Sequence, residues 1–128
     1  MLKRVAYIFI VAFALNLIWE KLQMPLYAVD VSGWDCWLLC IRASVWDAVI
    51  ITGVYYLIDT PSRTHRYALA SILLFCIAIF IEQRALTEGK WAYSALMPTL
   101  FGIGISPLIQ LPLLAIATYE TVLRIKQL

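Results

Sequence analysis

VAYIFIVAFALNLIWEKLQMP, residues 5–25, decides how the chain is read. From Val5 to Leu15 no side chain carries a charge or an amide. Asn16, Glu20, Lys21 and Gln23 then arrive within eight residues, ahead of Met24-Pro25. A membrane-spanning helix needs roughly 20 mainly apolar residues, and 5–25 has that length. Asn16, Glu20 and Gln23 are spaced four and three apart, which puts them on one helical face. Lys21 points elsewhere and reaches the surface along its long stem. The basic start and Ala12-x-Ala14 imitate a secretory signal, but the apolar run continues past them to Trp19. The stretch reads as an uncleaved first span with an inward polar wall.

The rest of the chain repeats the apolar pattern. Of 128 residues, 63% are hydrophobic, and the mean hydropathy is +0.85; a soluble domain runs about 45–50% apolar. Three more stretches reach spanning length, at 36–58, 67–84 and 97–120. Backbone groups in lipid must find partners within the protein. The expected fold is therefore all-α, an integral membrane four-helix bundle forming one domain over 1–128. Lys3, Arg4, Arg63, Arg66, Arg124 and Lys126 gather on one side, which predicts an N-in/C-in multi-pass protein of the bacterial inner (plasma) membrane. Trp19, Trp34, Trp37 and Trp91 then fall at the outer interface, where aromatic belts form. In "GIGISPLIQLP" (102–112), neither Pro107 nor Pro112 donates to the carbonyl four residues earlier. Span four is expected to kink or break at Pro107 and Pro112.

Depth follows from a rise of about 1.5 Å per residue. Glu20 and Glu82 fall in the outer third of their spans, and Asp47 near mid-membrane. A charged side chain at the bilayer centre costs about 2.5–3.5 kcal/mol on insertion scales, so intramembrane acids are functional suspects. Thr99, Ser106 and Gln110, spaced seven and four apart, form a second stripe. The bundle interior is where Glu20, Asp47, Glu82 and Gln110 converge on this reading. Arg42 lies about 140° around its helix from Asp47, so Arg84 is the better partner for a carboxylate of another span. The candidate catalytic residues are Glu20, Glu82 and Asp47. The candidate binding residues are Asn16, Gln23, Arg84, Trp91, Tyr93, Ser106 and Gln110. "WEKLQ" and "IEQRA" share an acid and an amide at the outer ends of spans one and three. Trp19, Lys21 and Tyr27 are explained by the interface alone. Asp30, Asp35, Asp59 and Glu88 read as solvated.

Other classes are excluded by what the chain carries. The net charge of +2 is not clustered into a basic patch, which argues against nucleic acid. The three cysteines give no even pairing. Cys36 and Cys40 read as small apolar residues rather than a soft-metal or redox pair. With His65 the only histidine, no metal and no cofactor is expected.

Nearly the whole chain resembles a group of small four-span bacterial membrane proteins. Their pattern W-E-x-x-Q-x-P-L-Y is matched by Trp19, Glu20, Gln23, Pro25, Leu26 and Tyr27, and their acid in the second span by Asp47. Their E-x-x-A-L-x-x-G-x-W-A-Y-x-x-x-M-P is matched from Glu82 through Gly89, Trp91 and Tyr93 to Pro98, and their G-x-x-P-x-x-Q by Gly104, Pro107 and Gln110. That resemblance implies the fold and no activity. In layout, residues 82–110 are also similar to the small membrane lycopene cyclase domains of carotenoid synthesis, through Glu82, Ala85, Gly89 and Trp91. "SPLIQ" stands where those domains carry paired glutamates. This likeness implies an apolar, isoprenoid-like substrate.

The expected function is a pocket at the outer side of the membrane that binds a lipid-like or isoprenoid molecule, or transforms it by acid–base chemistry. Membrane lipid is the expected partner. A homo-oligomeric transporter or channel, and an accessory subunit of a membrane complex, remain open on the sequence.

Overall fold

The computed structural model describes residues 2–28 and 33–126; Asp30 lies outside them. The described residues form helices α1 (Leu2–Gln23), α2 (Trp34–Leu57), α3 (Arg63–Thr87) and α4 (Ile105–Lys126). Each is long and apolar enough to cross a membrane. A short 3₁₀ turn, Met24–Leu26, continues α1. The Ser62 hydroxyl caps α3 by accepting from the His65 N–H at 3.3 Å. Gly89, in the left-handed region, ends α3 with paired bonds from its own N–H to Leu86 and from Lys90 N–H to Ala85.

Span four starts later than its composition suggests. Residues 97–104 are not helical: β1 (Thr99–Leu100) and β2 (Ile103–Gly104) pair antiparallel around a two-residue turn. Phe101 and Gly102 form that turn with φ of +54° and +81°, as tight hairpins require. "MPTLFGIG" is apolar enough to pass for a span, but this backbone cannot continue a helix. Pro107 consequently falls in the first turn of α4, where N–H groups have no partner in the helix anyway, and it breaks nothing. Pro112 is interior, yet α4 runs through it as one helix. Thr99 leaves the stripe expected with Ser106 and Gln110, because it sits on β1.

The helices pack in the order α2–α1–α4–α3. Buried Ala12, Ala48, Ala70, Ala78 and Ala115 let the backbones approach closely. Ile8, Ile51, Leu74, Leu114 and Tyr119 fill the end that carries the chain termini. There the Tyr119 hydroxyl donates to the Ile51 carbonyl at 2.7 Å. Arg66 ties α3 to α2: its guanidinium donates to the Tyr55 and Thr60 carbonyls and lies 4.2 Å over the Tyr55 ring. Toward the opposite end α2 and α3 part, and a cavity lies between them.

At that opposite end the two longer connections are joined. Tyr27 pairs with Tyr93 in an antiparallel bridge. Ala28 N–H donates to the Ala92 carbonyl at 2.8 Å, and Ser94 N–H to that of Leu26 at 2.9 Å. The hairpin rests on this junction through Gly104, where an added Cβ would lie 3.0 Å from Met97 Sδ and 3.1 Å from Tyr93 Cζ. Gly104→Ala should therefore lower stability by about 1–3 kcal/mol, the usual cost of overpacking. Thermal unfolding in detergent measures this, and an unchanged Tm would refute close packing of the hairpin.

Candidate functional site

Asn16, Glu20 and Gln23 share one face of α1, and their partners come from α4 and α2. Gln23 Nε2 donates to Glu20 Oε2 and to Gln110 Oε1, each at 3.1 Å. Gln23 Oε1 accepts from Trp19 Nε1 at 3.1 Å and from Ser106 Oγ at 2.7 Å. Gln110 Nε2 faces three oxygens: Asn16 Oδ1 and Glu20 Oε1 at 2.9 Å, and Asp47 Oδ2 at 3.0 Å. A primary amide has only two N–H bonds, so acceptors outnumber protons at this nitrogen. Asn16 in turn donates to its own helix, from Nδ2 to the Ala12 carbonyl at 2.7 Å.

Glu82, on α3, has a separate set of partners. Its Oε1 accepts from the Tyr27 hydroxyl at 3.1 Å; its Oε2 accepts from Trp91 Nε1 at 3.0 Å and the Tyr93 hydroxyl at 2.7 Å. The three rings pack together: Tyr27 meets Trp91 edge-on at 6.1 Å between centroids, and Tyr93 at 5.5 Å. Burial, and then the charge of Glu82, push the Tyr27 phenol far above its ordinary value. Burial and the bond to Glu82 raise Tyr93 as well. Both phenols therefore stay protonated, and remain donors, throughout the physiological range.

A cavity of about 710 Å³ separates α2 from α3, a size typical of small-molecule sites. Glu20, Asp47 and Glu82 line it from three different helices. Leu39, Ile50, Ala78 and Ile81 give it an apolar wall, and Tyr27 and Trp91 add ring surface. Exposed Arg42, Trp46 and Lys90 also line it and mark its mouth. Gln110 is the one described residue whose N–H donates to the Asp47 carboxyl, which also lies within hydrogen-bond reach of the Glu20 carboxyl.

Of the expected site residues, Glu20, Asp47 and Glu82 face one cavity. Asn16, Gln23, Ser106 and Gln110 build the amide network beside it, and Trp91 and Tyr93 hold Glu82. Arg84 does not join them. It follows Glu82 by two residues, about 200° around the helix, so it points outward and pairs with Glu88 at 2.9 Å. That bond, followed by one to Lys90, holds the exposed Glu88 carboxyl below its usual range. Gln83, also exposed, fails to copy the role of Gln23, because it follows its glutamate by one position rather than three. Lys21 turns away, with Nζ 4.3 Å over the Trp37 ring. Trp19 and Tyr27 are more than interface anchors, since each donates into the site. Nothing in local spacing turns Tyr27 inward; the bridge to Tyr93 does. Arg42, Trp46 and Lys90 are further lining residues that the sequence reading left out. Cys36 and Cys40 are free thiols, and the described residues hold no group of three metal-ligating side chains.

No family model, curated protein or solved structure matches the chain. Gln110→Ala removes the shared donor of Asn16, Glu20 and Asp47, so it should destabilise the fold by about 2–4 kcal/mol. Ser106→Ala, which removes one peripheral donor, should cost under about 1.5 kcal/mol. Equal losses in thermal or denaturant unfolding would show that Gln110 does not organise the network.

Proposed function

We propose that the protein is a multi-pass inner-membrane protein that holds an amphiphilic, lipid-like molecule in the pocket between α2 and α3. The observation that carries this reading is a cavity divided by chemistry. Its lining is divided between the carboxyl and amide groups of Glu20, Gln23, Asp47, Glu82 and Gln110 and the aliphatic side chains of Leu39, Ile50, Ala78 and Ile81. Such a division suits a ligand with a polar head and an apolar body. The basic residues near the termini favour N-in/C-in topology, so the polar end of the pocket belongs to the outer leaflet. Pro112 leaves the Leu108 carbonyl without its helical donor, while α4 continues as one helix.

The three acids take different roles on this reading. Glu20 is occupied by two amides, and Glu82 by three neutral donors that fix the 91–93 loop. Asp47 lines the cavity, takes one amide bond from Gln110 and adjoins the Glu20 carboxyl. It is the group that receives or delivers a proton in any acid–base step on the bound molecule. A pocket is favoured over a pore by the packed layer of Ile8, Ala12, Ile51, Leu74 and Ala115, which fills the rest of the bundle.

Native mass spectrometry of protein extracted from membranes tests the proposal. The wild type should carry a lipid-sized adduct. Ala43 lines the cavity, and Ala43→Trp should obstruct it and reduce the adduct, with Tm within about 5 °C of wild type. A folded Ala43→Trp protein that keeps the full adduct would sink the pocket.

A further inference from the structure

The charges around the cavity are sorted by depth. Inside, Glu20, Asp47 and Glu82 have only neutral hydrogen-bond donors among the described residues: amides, phenols and an indole. A desolvated carboxylate without a counter-charge is costly. At the mouth the sign reverses. Arg42 makes no ion pair with any described residue, and Lys90 reaches only the exposed Glu88, at 3.4 Å. An anionic molecule would suit the mouth and be repelled inside; a simple cation would meet the opposite conflict. A molecule with a negative group outward and a positive group inward matches both.

The kind of positive group is also indicated. Gln110 Nε2 has too few protons for its three oxygens, and the Asp47 and Glu20 carboxyls meet there with no cationic partner among the described residues. A primary ammonium brings three N–H donors and supplies what this corner lacks. A quaternary ammonium has none, and would have only the ring faces of Tyr27 and Trp91. The aliphatic gap between α2 and α3 is open to hydrocarbon chains.

Resting on the pocket proposed above, we infer that its ligand is a zwitterionic phospho-amine: a primary ammonium against Asp47 and Glu20, and a phosphate between Arg42 and Lys90. Its source is a membrane lipid bearing a phosphoethanolamine-type head.

The test uses the full chain in nanodiscs containing equal parts of phosphatidylethanolamine, phosphatidylcholine and phosphatidylglycerol. Retained lipid is identified by native mass spectrometry after gentle release into detergent. Phosphatidylethanolamine should be retained about tenfold over each of the others, the scale of one charge-assisted hydrogen bond. Asp47→Asn, which keeps shape and the bond from Gln110, should cut that preference to under about twofold while total lipid persists. Arg42→Gln should weaken retention of phosphatidylethanolamine while a preference for it over phosphatidylcholine remains. Lipid retained without regard to head group overturns the phospho-amine inference and leaves the pocket standing. No lipid retained by the wild type overturns both. Soluble phosphoethanolamine is added in a parallel arm. Displacement of the lipid at matching concentrations supports the head-group chemistry but overturns the membrane as its source; no displacement supports the lipid.

Discussion

A single side-chain amide ties three helices together. Gln110, on α4, reaches acceptors on α1 and α2 and receives a bond from α1 in return. In lipid, helices gain little by hiding apolar surface from one another, so packing and interhelical hydrogen bonds must set their arrangement. Gln110 fixes the rotation of α4 about its axis. That rotation sets where Ser106 and Pro107 fall, and so how the hairpin ahead of them meets the loop that carries Trp91 and Tyr93. Glu82 does the corresponding work from α3, but through aromatic donors rather than amides. The two networks share a cavity wall without sharing a hydrogen bond.

The ends of the bundle are built on different principles. Near the termini, Tyr119, Arg66 and a layer of alanine and aliphatic side chains hold α2 against α3. At the other end the same two helices are separated, and polar groups replace the apolar layer. Dense packing at one end supports the looser arrangement at the other, as a hinge-pinned fork keeps its tines apart.

Spacing made part of this readable from the sequence. A separation of four and three is enough to put Asn16, Glu20 and Gln23 on one face, and mid-span acids mark themselves by the cost of their location. The number of long apolar helices follows from hydropathy. What spacing could not supply was anything that depends on chain segments meeting through loops. Tyr27 looks like an interfacial tyrosine until the bridge to Tyr93 turns it toward Glu82. The segment 97–104 has the hydropathy of a span and the backbone of a hairpin, and hydropathy does not distinguish the two. Charge and a place at the outer end of its span suggest Arg84 as a partner for a carboxylate of another span, but its position two residues after Glu82 directs it away from the cavity, toward Glu88. The likeness between "WEKLQ" and "IEQRA" fails for a related reason: an acid and an amide act together on a helix at a separation of three or four, not one.

The cavity lies between helices long and apolar enough to cross a membrane, and on the reading proposed above this bears on how the pocket is filled. A molecule that enters it from the membrane is already confined to the bilayer, crowded into a thin layer at an effective concentration far above its amount per volume of cell. On the reading proposed here, that crowding adds to the pocket's own contacts in keeping the site occupied. The pocket then fills from the bilayer itself, and its occupancy follows the lipid composition around the protein.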